Sequence, residues 1–269
     1  MTHGYQHLKR LCLLLAGIVF LMGLKKADKL ILPGKDHMTW YKGAIIRGDS
    51  TQKKMALVFT GDEFADGAHH ILQKLKDLHI KASFFFTGRF YSNPSFKKII
   101  LQLKKEGHYL GAHSDQHLLY CDWIKRDSLL VSKSEFNTDL LANYKRMENF
   151  GIRKQDAIFY IPPYEWYNDT IAAWTKDFGL QLINNTPGTI SHADYTTPAD
   201  VNYRSSEKIF QSIINYEKNS TSGLNGFILL LHIGTDPKRT DKFYYNLEDL
   251  LIFLEKKDYQ SVSIFELLK

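Results

Sequence analysis

Residues 227–232 read Phe-Ile-Leu-Leu-Leu-His, a nearly continuous apolar run of strand length that ends in a histidine. Because such a strand offers no polar face to solvent, it is typical of a parallel sheet that helices cover on both sides. Further runs of strand length occupy residues 55–60, 82–86, 109–112, 157–161, 180–184 and 261–264. Segments with apolar residues at helical spacing lie between them, for example Ile71, Leu72, Leu75 and Leu78. The alternation predicts an α/β fold with seven strands, built either as a barrel or as a doubly wound sheet.

The composition fits one globular domain. Of the 269 residues, 44% are hydrophobic and 24% are charged, which supplies enough apolar material for one large core. Lys and Arg exceed Asp and Glu by 35 to 29, but the cations are scattered among the acids and form no basic block. We therefore expect no nucleic-acid partner. With only two cysteines, Cys12 and Cys121, the chain carries no disulfide framework.

The first residues have the layout of an export signal. Lys9 and Arg10 precede an apolar run over residues 11–24, which ends at Lys25 and Lys26. The run is shorter than the roughly 20 residues of a full membrane span, yet no small-x-small cleavage site follows it. Residues 1–26 are therefore predicted to be a signal peptide or an N-terminal membrane anchor, residues 27–50 an N-terminal extension, and residues 51–269 the folded domain. We expect an exported protein, either periplasmic or associated with the cell envelope.

Carboxylates, imidazoles and aromatic side chains follow the predicted strands at the point where each strand ends. In β/α folds these ends meet on one rim, where reactive groups gather. The candidates are Asp62 and Asp66 after the first strand, His113 and His117 after the third, Tyr164, Glu165 and Trp166 after the fourth, and His232 at the end of the sixth. The sequence therefore predicts a functional site on this rim.

His113 and His117 are candidates for metal ligands. Being four residues apart, they would share one face of a helical turn and could offer two ring nitrogens to one ion. Asp62, the acid nearest its strand, is the predicted third ligand. Two imidazoles and one carboxylate leave positions open for water and substrate, and they suit Zn²⁺ first, with Co²⁺ or Ni²⁺ as alternatives.

Two of the candidates have a structural interpretation beside the functional one. Asp66 precedes Gly67, so it is either a turn or helix-cap residue or a catalytic group. His232 closes an apolar run, so it is either a core histidine bonded to a backbone carbonyl or a reactive group at the rim. The sequence alone leaves both choices open.

Several motifs in one order resemble the polysaccharide deacetylases, the nodulation-protein homology domain of carbohydrate esterase family 4. They are Leu57–Phe59 with the acidic loop, residues 82–88, Glu106-Gly107-His108 leading to His113-Ser114-x-x-His117, Pro162-Pro163-Tyr164, and residues 229–234. The resemblance implies a distorted seven-stranded β/α barrel. It also implies a metal-dependent hydrolase that removes acetyl groups from N- or O-acetylated carbohydrates, with residues 51–269 as its catalytic domain.

The resemblance implies a role for most of the candidates. His113 and His117 would bind the metal, and His232 would act as general acid on the leaving amine or alcohol. A carboxylate in the first loop would take the proton of the attacking water. The metal and the backbone around Tyr164 would stabilise the oxyanion. Independently of the resemblance, the aromatic residues Trp166 and Tyr167 either stack on a sugar ring or pack within their own loop.

The acidic loop departs from the usual pattern of two adjacent aspartates followed by glycine. Counting back from the following helix puts Asp62 at the ligand position and Gly61 at the position of the base. Counting from the Asp66-Gly67 pair makes Asp66 the ligand and Ala65 the base. In either alignment the usual base is displaced.

A second departure affects the fourth strand end. Ile161 stands where the family has an arginine that supports the base, and Glu165 stands where it has a glycine. Glu165 is therefore a candidate for the substitute base. The altered loop also keeps two alternatives open, namely a carbohydrate-binding module that has lost turnover and a zinc amidase that acts on non-sugar amides.

Overall fold

The structure, a computed structural model, describes residues 37–269. The predicted leader and the first part of the predicted extension lie outside these residues. Among residues 37–269, no helix is long and apolar enough to cross a membrane. The described chain begins with an antiparallel hairpin of β1 (Thr39–Tyr41) and β2 (Ala44–Arg47).

A parallel sheet of seven strands forms the centre of the fold. Its strands are β3 (Lys54–Gly61), β4 (Ser83–Phe86), β5 (Tyr109–Ala112), β6 (Phe159–Tyr160), β7 (Gln181–Leu182), β8 (Ile228–His232) and β9 (Gln260–Val262). The order is β7-β6-β5-β4-β3-β8, and β9 pairs with the beginning of β3. All seven predicted strands are confirmed, although β6 and β7 are shorter than the apolar runs that predicted them. Because β3 to β7 are neighbours in chain order, the sheet follows the barrel arrangement and has no reversal of a doubly wound sheet.

Strand β2 lies between the two edges of this sheet. The amide of Asn184, which follows β7, donates to the Ile45 oxygen at 2.9 Å. At the other end of β2, the Gly48 amide donates to the Gly226 oxygen at 2.7 Å, just before β8. The hairpin therefore links the edge strands, and the sheet curves into a distorted barrel.

The helices lie between the strands as the apolar spacing predicts. They are α1 (Ala68–Asp77), α2 (Gly88–Ser92), α3 (Lys97–Lys105), α4 (Lys133–Glu148), α5 (Asp169–Asp177), α6 (Ser206–Asn219), α7 (Leu247–Lys256) and α8 (Ile264–Leu267). Short 3₁₀ turns occupy Pro94–Phe96, Lys154–Asp156, Pro163–Glu165, Ser191–Tyr195 and Phe243–Asn246. Helix α6 begins after Ser205, whose side-chain oxygen accepts from the Lys208 amide and caps the helix.

The core is built on the apolar strands. Residues 228–231 of β8 are all buried, and Phe59 of β3 stacks on Phe84 of β4 with ring centroids 5.1 Å apart. On α1, Ile71, Leu72 and Leu75 are buried against the sheet. Burying side chains of this size contributes about 1.5–3 kcal/mol each. This packing fixes the strand ends, and with them the positions of the polar residues on the rim.

Candidate active site

Three of the predicted site residues stand at the carboxyl ends of strands in one half of the sheet, which has the order β5-β4-β3-β8. Asp62 follows β3, His113 follows β5, and His232 is the last residue of β8, in register with Thr60. The charges of Asp62 and His232 both affect the pKa of His113, and the ring of His117 lies 5.0 Å from the His113 ring. The structure therefore gathers these side chains on one rim.

His113 is buried and held in one orientation. Its backbone amide donates to the Asn143 side-chain oxygen at 3.0 Å, and its Nδ1 lies 2.9 Å from the Ile161 oxygen. Since a carbonyl only accepts, Nδ1 carries the proton and Nε2 keeps its lone pair. Burial lowers the pKa of His113 to about 3, with the neighbouring His117 acting in the same direction. His113 is therefore a neutral imidazole with Nε2 available for an ion.

His117 is reached by a loop, so the predicted helical turn between the two histidines is wrong. Ser114 has a φ of 70° and His117 a φ of 55°, both left-handed, and residues 113–118 form a bend without helix. The two rings nevertheless come together. Burial lowers the pKa of His117 to about 4, with the charges of Arg89 and His232 adding to the effect.

The loop takes this shape because of a buried carboxylate on α4. Asp139 accepts from the Ser114 hydroxyl at 2.7 Å, from the Asp115 amide at 3.0 Å and from the Gln116 amide at 2.9 Å. In the bend, the Asp139 carboxylate accepts hydrogen bonds from these three donors. Such side-chain acceptors offer the backbone an alternative to the hydrogen bonds of a helical turn. One sequence feature indicates this role, since Asp139 lies on the apolar side of the predicted helix together with Phe136 and Leu140.

Replacing Asp139 with alanine is expected to lower the free energy of unfolding by about 3 kcal/mol, because it leaves several buried donors unpaired at about 1–3 kcal/mol each. Urea denaturation measures the change. Asp127→Ala is the matched control, since its side chain is 90% exposed and reaches Lys42 only at 3.9 Å. Equal unfolding midpoints for the two variants would contradict the role of Asp139.

Asp62 is bound by neighbours other than the histidines. Its Oδ1 accepts from the Thr87 hydroxyl at 2.7 Å, and its Oδ2 pairs with the Arg89 guanidinium. Arg89 also reaches Glu63 at 3.2 Å. Glu63 therefore points toward Arg89 at the surface. Arg89 was not predicted from the sequence as a site residue. It supplies a guanidinium to this loop, whereas the position of the family's arginine holds Ile161.

The predicted metal ligands are only partly assembled. Two neutral imidazoles, with Nε2 of His113 open, fit a divalent ion. The Asp62 carboxylate faces Thr87 and Arg89 in this conformation, and within residues 37–269 no three His, Cys, Asp or Glu side chains converge as an ion site. The histidine pair thus fits the implied metal, and the assignment of Asp62 as third ligand stays a prediction.

Asp66 braces two loops. Its carboxylate accepts from the Thr235 amide at 2.7 Å and the Tyr244 hydroxyl at 3.0 Å, and it pairs with Lys242 at 2.9 Å. Burial raises the pKa of Asp66, but these partners outweigh it and hold that pKa below its usual value. Asp66 and Gly67 form a turn, but Gly67 is the N-cap of the following helix and no side-chain cap bond forms, so the helix-cap interpretation is wrong. The catalytic role of Asp66 stays a prediction.

His232 is paired with a carboxylate, so the interpretation as a core histidine bonded to a backbone carbonyl is wrong. Its Nδ1 lies 2.6 Å from Asp194 Oδ1, and its backbone amide donates to Asp194 Oδ2 at 2.9 Å. Burial lowers the pKa of His232, but the charge and hydrogen bond of Asp194 outweigh it, so the pKa is raised. Nδ1–H thus faces Asp194, and Nε2 is the nitrogen that can exchange a proton with a substrate.

Glu165 faces the same pair. Burial raises its pKa to about 7, while the charge of His232 lowers it and that of Asp194 raises it. Tyr164 and Glu165 have left-handed φ values of 59° and 54°. The Asn184 side chain donates to the backbone carbonyl oxygen of Glu165 at 2.8 Å. A carboxyl group with a pKa near neutrality can both accept and release a proton at working pH.

Aromatic side chains border the histidines. The Tyr164 ring lies 4.4 Å from the His117 ring and is 45% exposed. Trp166, predicted to stack on a sugar, has the Arg126 guanidinium 3.9 Å from its ring centre and donates from Nε1 to the Asp122 oxygen at 3.2 Å. One face of Trp166 is therefore covered by the protein itself.

The chain is similar to known proteins along most of its length. A family model described as polysaccharide deacetylase matches residues 47–183. The peptidoglycan-N-acetylglucosamine deacetylase of Bacillus cereus is 26% identical over 221 residues, which are 82% of this chain and 90% of that protein. An uncharacterized 30.6 kDa protein of Geobacillus stearothermophilus is 25% identical over 142 residues, which are 52% of this chain and 49% of that protein.

Solved structures share the fold. A family 4 carbohydrate esterase from Bacillus anthracis has a TM-score of 0.60 at 22% identity and covers 84% of this chain and 87% of its own. A carbohydrate esterase family 4 pseudoenzyme from the same organism has a TM-score of 0.63 at 19% identity, covering 86% and 70%. A mutant of a pseudoenzyme of that family is described as having restored enzymatic activity. Because the family model spans about half of the sequence, the chain belongs to the polysaccharide deacetylase family.

Proposed function

We propose that the chain is a metal-dependent hydrolase that removes acetyl groups from an N- or O-acetylated carbohydrate. The observation that carries this proposal is the placement of Glu165 and the hydrogen-bonded His232–Asp194 pair beside the adjoining rings of His113 and His117. Peptidoglycan rich in N-acetylglucosamine is the first substrate to test, since the Bacillus cereus relative is named for it. An exported location is part of the proposal.

His113 and His117, with Asp62 as the proposed third ligand, would hold the ion, for which Zn²⁺ is our first choice and Co²⁺ or Ni²⁺ the alternatives. When bound, the ion would polarise the acetyl carbonyl and lower the pKa of water. Binding requires Asp62 to turn away from Arg89. Because both histidines are neutral in the structure, they need lose no proton to bind an ion.

The chain's own residues divide the proton transfers. The ionised Glu165 carboxylate accepts a proton from the water whose oxygen attacks the acetyl carbon. The protonated His232 gives its Nε2 proton to the leaving nitrogen or oxygen as that bond breaks, and acetate is released. Asp194 holds the imidazolium in position through Nδ1–H. The Tyr164 amide is the proposed backbone donor to the transient oxyanion, because the Glu165 and Trp166 amides already donate to the Pro162 and Pro163 oxygens.

The second candidate function is a carbohydrate-binding module without turnover. The displacement of the usual base, with Gly61 or Ala65 at its position, and the pairing of Asp62 with Arg89 favour it. Retention of His113, His117 and the His232–Asp194 pair favours hydrolysis.

The test is acetate release from peptidoglycan, chitooligosaccharides and acetylated xylan, with the metal content of the same samples measured. We expect acetate from at least one substrate, loss of release with a chelator and recovery with Zn²⁺. His113→Ala should lose bound metal. A wild type that binds metal and releases no acetate from any substrate would support the binding module, and full metal content and activity in His113→Ala would overturn the ligand assignment.

A further inference from the structure

We propose that Trp123 and Tyr164 form a carbohydrate subsite that receives the apolar face of a pyranose ring next to the reacting sugar. The inference rests on the proposed function and adds a residue that the sequence motifs do not include. Trp123 lies in the loop between β5 and α4, outside every motif of the family resemblance. Its side chain is nevertheless the aromatic surface that adjoins the histidines through Tyr164.

The rings of Trp123 and Tyr164 meet nearly at a right angle and are both exposed, and we call this arrangement the corner. Trp123 is 53% exposed and Tyr164 is 45% exposed, and their ring centroids lie 5.5 Å apart with the planes at 77°. The Tyr164 ring in turn lies 4.4 Å from the His117 ring. An exposed aromatic surface that continues into a candidate active site is more informative than an isolated apolar side chain, since contiguous apolar patches mark ligand sites.

The Trp123 loop is held rigid by hydrogen bonds. Asp122 Oδ1 accepts from the Ile124 amide at 2.9 Å and the Lys125 amide at 2.6 Å, while the Asp122 amide donates to the Ser128 oxygen at 2.9 Å. The turn that carries Trp123 is thus fixed on both sides. A backbone that is already ordered loses less conformational freedom when a ligand binds, which favours affinity.

The Trp166 ring packs against the Trp123 ring. The two indole rings lie 5.5 Å apart with their planes at 34°, and Arg126 stacks on Trp166 while donating to the Tyr167 oxygen at 2.6 Å. Trp166 therefore acts as a support, and Trp123 offers the free surface. This assignment moves the predicted stacking role from Trp166 to Trp123.

The occupant that fits this corner is a β-linked N-acetylhexosamine unit. A pyranose with equatorial substituents presents axial C–H groups on its face, which pack on an aromatic ring, while its hydroxyls stay at the edge in water. Along the chain, Trp123 and the exposed Ile124 are flanked by the charged residues Asp122, Lys125 and Asp127. Two exposed rings with their planes at 77° offer an area of the size of one sugar ring, far less than the roughly 800 Å² per partner of a stable protein interface.

The test uses the full chain and chitotetraose as the probe, with binding measured by isothermal titration calorimetry and acetate release followed in the same samples. Trp123→Ala is expected to weaken the affinity about tenfold, the size of one aromatic stacking contact. Trp123→Phe should recover most of it because it restores a flat ring. Ile124→Ala is the matched control, being the next residue and 93% exposed, and it should bind as the wild type does.

The outcomes separate the subsite from the reaction. If Trp123→Ala binds chitotetraose about tenfold more weakly than the wild type, the subsite stands even when no acetate appears, and the failure is that of the proposed hydrolysis. If acetate is released and Trp123→Ala binds as tightly as the wild type, the subsite is overturned and hydrolysis stands. An equal loss in Ile124→Ala, or no binding by the wild type, also overturns the subsite.

Discussion

Glu165→Gln is expected to lower kcat for acetyl hydrolysis by about 100-fold or more, the usual contribution of a positioned acid–base group. The change keeps the shape of the side chain and removes its capacity to take a proton. Burial raises the pKa of Glu165 to about 7, so the carboxylate form that accepts a proton gains population as the pH rises through 7. The wild-type rate should therefore rise with pH in this range.

The pH profile of kcat measures this directly. Glu165→Gln should lose the rise around pH 7 while keeping the decline at higher pH, which belongs to another group. The control is Glu63→Gln, because Glu63 is an acid of the first loop whose side chain is 59% exposed and paired with Arg89. Its profile should match that of the wild type. Full activity and an unchanged rise in Glu165→Gln would move the base to Asp62 or Asp66.

Glu165 could be singled out from the sequence only as a departure from a pattern. What makes it suitable is its surroundings, namely burial together with the opposed charges of His232 and Asp194. Those neighbours come from chain segments about 30 and 70 residues away, brought together by the barrel. The local sequence shows that residue 165 is a glutamate, but the raised pKa of its carboxyl group depends on neighbours that only the fold brings close.

The strands could be predicted because each is an apolar run, and the parallel arrangement followed from the apolar character of both faces. The link between the two edges of the sheet could not be predicted from the sequence. Strand β2 has four residues, and its partners Asn184 and Gly226 lie far along the chain. Such a short segment has no periodicity of its own, and its place is set by pairing geometry that only the curved sheet provides.

The histidines of the site could be predicted for a related reason, since His113, His117 and His232 each follow a buried strand. The acids that hold these histidines and their loop in place could not be predicted in the same way. Asp194 lies in a 3₁₀ turn without a hydrophobic pattern, and the place of Asp139 on the apolar side of its helix indicates burial but not which loop it binds. Asp62 shows the converse, because its place after β3 is as predicted while its hydrogen bonds go to Thr87 and Arg89.

Asp194→Asn is expected to lower kcat by about 100- to 10,000-fold, because the loss of the carboxylate removes the group that fixes the tautomer and supports the charged form of its histidine. In the wild type, Asp194 outweighs burial and raises the pKa of His232. His232 donates a proton only in its charged form, so the rate should fall as the pH rises through this raised pKa. Without the Asp194 charge, the decline should move to lower pH.

The measurement is the pH profile of kcat, together with the thermal unfolding midpoint to show that the fold persists. Asp200→Asn is the matched control, because Asp200 is an exposed acid of the same loop whose carboxylate accepts from the Thr197 amide at 2.6 Å. It should leave the declining limb in place. A purely structural role for Asp194 would lower the unfolding midpoint and leave that limb unmoved. A shift of the limb in Asp194→Asn alone would identify Asp194 as the residue that positions and charges His232.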